Sequence, residues 1–208
     1  MVDTGIKKFY GNHSLISVPS RGKRFYGQDA QYKGNQPAYR NNGNGTITDK
    51  VTGLMWQQDM GKKMTWDEAK SHAKKSRLTG YTDWRFPNAK ELQSIVDYTR
   101  SPQATSSPAI DPIFQTTAIK APDNQLQYPS FWTSTNHQDG KNYYDSAVYI
   151  AFGRALGKMH GRIQDVHGAG AQRSDPKTGN PDDYPRYFGP QGDMRIVFNF
   201  VRCVRNID

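Results

Sequence analysis

Two capping boxes follow one another in the middle of this chain, and they limit its fold more than any other feature. Thr65 with Glu68 opens one helix, and Asn88 with Glu91 opens the next. In such a box the first side chain accepts from a backbone N–H three residues on, and the acid reaches back to the cap. Trp66, Ala69 and Ala73 make the apolar stripe of the first helix, and Leu92, Ile95 and Val96 that of the second. Gly80 is the expected stop of the first, and Pro102 blocks continuation of the second.

Everything around the two helices reads as β. Before them, GTITD and TGLMWQQ form a hairpin across Lys50-Val51. After them come SFWTSTN, SAVYIAFG and RIVFNFVRCVR as strands. A Gly-, Pro- and Asp-rich loop runs from about Met159 to Asp193 between the last two, and loops of that length are functional or disordered. Helices grouped together, not alternating with strands, predict an α+β plan. Residues 1–39 form a basic N-terminal arm, either extended chain around a core or partly disordered, with SLISV its one possible strand. Residues 40–208 form the domain.

The formal charge of +9 favours polyanionic partners. No stretch has the ~20 apolar residues of a membrane span, so no membrane insertion is expected. MVDTGIKKFYGN has no apolar core, so no signal peptide is visible in it. One cysteine, Cys203, excludes an internal disulfide and a Cys-rich zinc site, and it is expected as a small buried residue.

The run NNGNGTITD, 41–49, has the look of a cation loop. Its alternate positions from Asn41 are Asn41, Gly43, Gly45 and Ile47, and its only carboxylate is Asp49. Calcium loops need more charge than that. Turn chemistry explains it better: glycines supply positive φ, the asparagines tolerate it, and Asp49 caps backbone N–H groups. No metal and no cofactor are expected. Ser134, His137 and Asp139 lie near one another, but no nucleophile elbow surrounds the serine. His160, Asp165 and His167 lack a helical zinc spacing. The chain is expected not to be an enzyme. There is no helix-turn-helix, zinc-finger or RNP-type signal, so no nucleic acid is expected.

NGNGTITDKVTGLMWQQD, TWDEAKSHAKK, LTGYTDWRFPNAKELQSIVDY, FWTST and VRCVR, taken in this order, resemble a bacterial family named after the C-terminal domain of a collagen-like adhesin of Legionella. The resemblance runs from about residue 40 to 205. It implies a C-type lectin-like fold, with two helices packed on antiparallel β-sheets and a long loop region in the second half. It also implies a secreted or cell-surface domain that binds sulfated glycosaminoglycans as a homo-oligomer, a trimer in the founding adhesin. Related formylglycine-generating enzymes work with two thiols, and this chain has one. Many members place a cysteine where this chain has Ala73, which leaves Cys203 unpaired.

Ligand contacts in such folds come from the long loop. It carries Lys158, His160, Arg162, His167, Arg173, Lys177, Tyr184, Arg186 and Tyr187. Arginine holds a sulfate or carboxylate with two parallel hydrogen bonds, and tyrosine stacks on the apolar face of a sugar. Alternatively Asp165, Asp175, Asp182 and Asp183 neutralise these cations internally. On the first helix, Lys70, Lys74 and Arg77 flank the apolar stripe, either as a solvated flank or, with Lys62 and Lys63, as a cationic edge. The expected partner is an anionic polysaccharide or glycosaminoglycan, held without metal. The alternative is a protein-interaction or structural subunit of a surface appendage or secreted complex.

Overall fold

A computed structural model describes residues 2–138 and 144–207. A hairpin of β1 (Phe9–Tyr10) and β2 (Leu15–Ile16) lies in the first segment. Then β3 (Tyr39–Asn41), β4 (Thr46–Asp49) and β5 (Leu54–Gln57) form an antiparallel meander. Three helices follow: α1 (Trp66–Lys75), α2 (Ala89–Gln93) and α3 (Pro102–Thr105). Next come β6 (Ile119–Lys120) and β7 (Leu126–Gln127), then β8 (Ser130–Asn136) and β9 (Ser146–Ala151). The second half continues with β10 (Leu156–Met159), β11 (Arg162–Asp165), β12 (Gln172–Pro176), β13 (Tyr187–Phe188), β14 (Asp193–Met194) and β15 (Val204–Asn206). The architecture is α+β, and the strands named here pair antiparallel throughout their sheets.

Both capping boxes form. Thr65 N–H donates to Glu68 at 2.8 Å and Asn88 N–H to Glu91 at 2.8 Å, each reciprocated by the cap side chain. The helix ends differ from expectation. α1 stops at Lys75, and Gly80 lies in a separate 3-10 turn. α2 has only five residues. Pro102 starts a helix instead of blocking one, because Pro lacks the N–H that a first helical position leaves unused, and Ser101 caps it. The 41–49 run is the turn from β3 into β4: Asn41 Oδ1 accepts Gly43 N–H at 2.9 Å, and Asp49 Oδ1, at the end of β4, accepts Val51 N–H at 2.9 Å.

The central sheet, ordered β12-β9-β8, carries a hydrophobic core on each face. Side chains alternate along a strand. Phe131, Val148 and Ile150 therefore enter one core with Trp56, Phe114 and Leu92, while Trp132, Ala147 and Tyr149 enter another with Trp66, Trp84 and Ala69. α1 and α2 both lie against β8, and α2 also against β9. Burying each large apolar side chain contributes about 1.5–3 kcal/mol, so these two cores fix the platform from which the second half projects.

RIVFNFVRCVR was expected as a continuous strand and is not one. Only Val204–Asn206 is a strand, beside β5. Upstream, Asn199 bridges to Met64 and Phe200 to Phe131. The segment threads between the cores: Phe200 and Val204 join the first, Val201 and Cys203 the second. Cys203 is fully buried in the same cluster as Ala73, and burial pushes its thiol up to about 12. Arg202 is also fully buried. It donates to the carbonyls of Gln57 (2.9 Å), Gln58 and Gln115 (3.3 Å) and to Thr116 Oγ1 (2.9 Å). Its guanidinium sits 5.3 and 5.0 Å from the Phe114 and Phe131 rings.

The 159–193 stretch was expected as a loop and instead holds β11, β12, β13 and much of a second sheet ordered β11-β10-β14-β13. Its entry is a tight turn at His160 and Gly161, both at positive φ (50° and 77°), the requirement of a two-residue hairpin turn that matches strand twist. β14 closes on β10 only because residue 192 is glycine. A Cβ there would stand 2.2 Å from the Lys158 carbonyl oxygen, while Lys158 N–H donates to Gly192 O at 2.7 Å.

Candidate functional site

The second sheet places one pair of expected ligand residues on an aromatic ring. Tyr187 lies opposite Met194, and the β10–β14 pairing puts Lys158 on their face of the sheet. Lys158 Nζ lies 5.6 Å and the Arg186 guanidinium carbon 5.7 Å from the centre of the Tyr187 ring. Lys158 and Arg186 are both exposed.

That face continues into a groove of about 140 Å³ floored by Leu156, Met194, Ile196, Phe198 and Phe200. Phe198 is 39% exposed, so the floor reaches solvent. Lys63 and Lys120 line it, Lys63 Nζ lying 5.8 Å from the Phe200 ring. None of the described residues lining the groove is acidic. Lys120 was missed from the sequence. It stands alone in TAIKAP, and only the β6–β7 hairpin carries it to the groove.

A second cationic point forms at the start of α1. Trp66 Nε1 donates to Thr133 O at 2.7 Å, and Trp66 N–H donates to Lys177 O at 3.0 Å. The ammonium groups of Lys70 and Lys177 come within 5.5 and 5.1 Å of its ring, where each cation–π contact contributes about 0.5–1 kcal/mol. The helix flank and the distant loop therefore meet at one indole. Lys177 Nζ also donates to the Tyr144 carbonyl. Two residues separate Lys63 from Trp66, at most ~11 Å of chain, so the groove and this point adjoin.

Other expected contacts are engaged inside the fold. Asp193, 7% exposed, takes Arg173 on one carboxylate oxygen and His167 Nε2, at 2.7 Å, on the other. Asp175 faces Arg195 at 3.5 Å and accepts Ile196 N–H at 2.7 Å. Burial is the main reason its carboxyl is pushed up to about 7, the Ile196 bond and the Arg195 and Arg173 charges opposing it. Arg77 donates to the Ser76 and Lys74 carbonyls at 2.7 and 3.2 Å, closing the end of α1. Lys74 is exposed on that helix. His160 and Arg162 are exposed at the β10–β11 turn, and Arg162, paired with Met159, lies on the sheet face opposite Lys158.

The three-residue nucleophile arrangement does not assemble from Ser134. His137 Nδ1 meets Ser174 Oγ at 2.6 Å, and Asp139 lies outside the described residues. His160 and His167 are parted, one at the hairpin tip and one on Asp193. Among the described residues, no three His, Cys, Asp or Glu side chains gather as metal ligands would, and no helix is long and apolar enough to cross a membrane.

No curated protein and no solved structure matches this chain. The sequence model of the Lcl C-terminal domain family matches residues 45–167. The match begins in the turn before β4, takes in all three helices and the central strands β8 and β9, and ends at His167. It covers more than half of the 208 residues, so the chain belongs to the Lcl C-terminal domain family.

Proposed function

We propose that the chain is a non-enzymatic, extracellular carbohydrate-binding adhesion domain that holds sulfated or carboxylated polysaccharide without a metal ion. Family membership suggests an adhesin-like surface domain. The observation that carries the finer reading is the surface joining Lys158, Arg186 and Tyr187 to the groove of Lys63 and Lys120. Exposed cations stand beside rings and apolar floor, with no acid among the described lining residues. A sugar ring offers the same pairing: a flat face of C–H groups and an anionic substituent. The scaffold is lectin-like in this reading, and a homo-oligomer, a trimer by family resemblance, converts weak single sites into avidity.

The test is retention on immobilised heparin and chondroitin sulfate, with neutral dextran as control, across a salt series and with a chelator. Retention should fall steeply with salt, because exposed charges are screened beyond about 8–10 Å. It should survive chelator and drop for Lys158→Ala/Arg186→Ala. Release by chelator, equal retention on dextran, or an unchanged double variant overturns the reading.

A second reading, a protein-interaction or structural subunit of a surface assembly, draws on the arm. Leu15, Val18, Tyr26 and Tyr32 are 57%, 66%, 47% and 64% exposed. A chain that ignores every glycan at low salt yet self-associates through these residues would favour it.

A further inference from the structure

A second cationic cleft shares no lining residue with the groove just described. The arm segment from Gly5 to Tyr10 faces the segment from Tyr98 to Ala104 across a cavity of about 440 Å³, within the ~300–1,000 Å³ of small-ligand pockets. Lys7, Lys8 and Arg100 line it, and none of the described lining residues is acidic. Tyr10 and Tyr98 also line it and are 49% and 44% exposed.

Both walls are held in place. On the arm side, the Asp3 carboxylate accepts Gly5 N–H and Gly34 N–H, each at 2.8 Å, and Asp3 N–H donates to Asn35 O at 2.8 Å. Those two N–H bonds are the main cause that holds the Asp3 carboxyl below the usual range, and the Lys7 charge adds to it. On the other side, Asp97 accepts both Thr99 N–H (2.9 Å) and Thr99 Oγ1–H (2.6 Å). Arg100 Nε donates to Pro108 O at 3.4 Å. Tyr98 rests against Gly170, where a Cβ would come within 2.8 Å of its ring, and its hydroxyl meets Gln93. Tyr98 is therefore held in position while its ring still shows to solvent, and the Tyr10 ring is exposed across the cleft.

We infer that this cleft is a second binding site, built jointly by the arm and the α2–α3 segment, for one or two sugar units bearing sulfate or carboxylate. Cations on both walls would hold the anionic substituent, and the tyrosine rings would take the apolar face of the sugar. The inference rests on the proposed function for its ligand class but not for its location. The arm lies outside the residues matched by the family model, and the Tyr98–Ala104 wall lies within them. Two separated cationic sites make each chain bivalent toward one polymer.

The experiment is calorimetric titration of the whole chain at low salt with a sulfated uronate disaccharide, on the unaltered protein, Lys7→Ala/Lys8→Ala and Lys158→Ala/Arg186→Ala. Lys7 and Lys8 are exposed, so their loss leaves the fold standing. Arg100→Gln supplies a second variant on the opposite wall. Two sites are expected. Each arm-side or Arg100 variant should weaken one by roughly tenfold or more, as loss of a charge-assisted contact does, and the sheet variant should weaken the other. A disaccharide response unchanged in both Lys7→Ala/Lys8→Ala and Arg100→Gln overturns this inference while leaving the proposed function intact. A response lost only in those variants supports the cleft and overturns the sheet surface. No binding of disaccharide or polymer to the unaltered chain overturns both.

Discussion

Replacing Arg173 with Met separates a structural cation from a ligand-binding one. Arg173 stands on the buried Asp193 carboxylate, its own side chain 23% exposed and that of Asp193 10%. A hydrogen bond to a charged partner contributes about 1.5–3 kcal/mol, and the partial exposure of Arg173 places this one near the lower end, about 2 kcal/mol. His167 keeps the other oxygen at 2.7 Å, so the carboxylate is not left bare. The loss also removes one of the charges that holds the Asp175 carboxyl down, which adds to the cost at neutral pH. For a chain of this length about 2 kcal/mol lowers Tm by about 4–8 °C. Scanning calorimetry reads that shift, and heparin retention below both melting points reads binding. Destabilisation with normal retention is expected. A Tm lowered by less than about 1 °C, or lost retention in a fully folded variant, refutes the assignment of Arg173 to the interior.

Arg202→Ala strips a buried guanidinium from three carbonyls and a hydroxyl. At about 1–3 kcal/mol for each group left unpaired, urea midpoints should fall by most of the protein's stability, and a loss under about 1 kcal/mol would contradict the described network. Asp175 carries a carboxyl raised to about 7. The fold favours its neutral form, so this contribution is full below the ordinary carboxylate pKa of about 3.9 and is lost as pH rises through about 7. Asp175→Asn keeps an acceptor for Ile196 N–H, and urea midpoints measured from pH 4 to 7 should show a shallower decline than in the unaltered chain. Gly192→Ala forces a Cβ against the Lys158 carbonyl at a φ of +60°. It should loosen β14 from β10, seen as faster amide exchange at Lys158, with the central sheet unaffected.

Local signals were legible and distant ones were not. Both capping boxes and the strands SFWTSTN and SAVYIAFG form where the sequence places them, because caps and alternation act within a few residues. The 159–193 stretch reads as loop because β13 and β14 are two residues each and take their register from β10, far away in the chain. RIVFNFVRCVR reads as strand because β-branched and aromatic residues dominate it between its arginines. Those apolar side chains serve two cores, and bridges to Met64 and Phe131 replace a continuous ladder. At the site, the sign of the charge was legible, but its partners were not. Asp193 pairs with Arg173 and meets His167, whereas the acids expected to engage the loop cations were Asp165, Asp175, Asp182 and Asp183. Lys70 and Lys177 meet over Trp66 only because a backbone bond joins Trp66 to residue 177.

Cys203 is sealed between Trp132, Val201 and their neighbours with its thiol pushed up to about 12. Thiolate is the reactive form, so this sulfur ignores oxidants and neighbouring chains for as long as the second core stays shut. An alkylating dye added to the native protein therefore becomes a clock, and its rate of uptake reports how often that core comes apart.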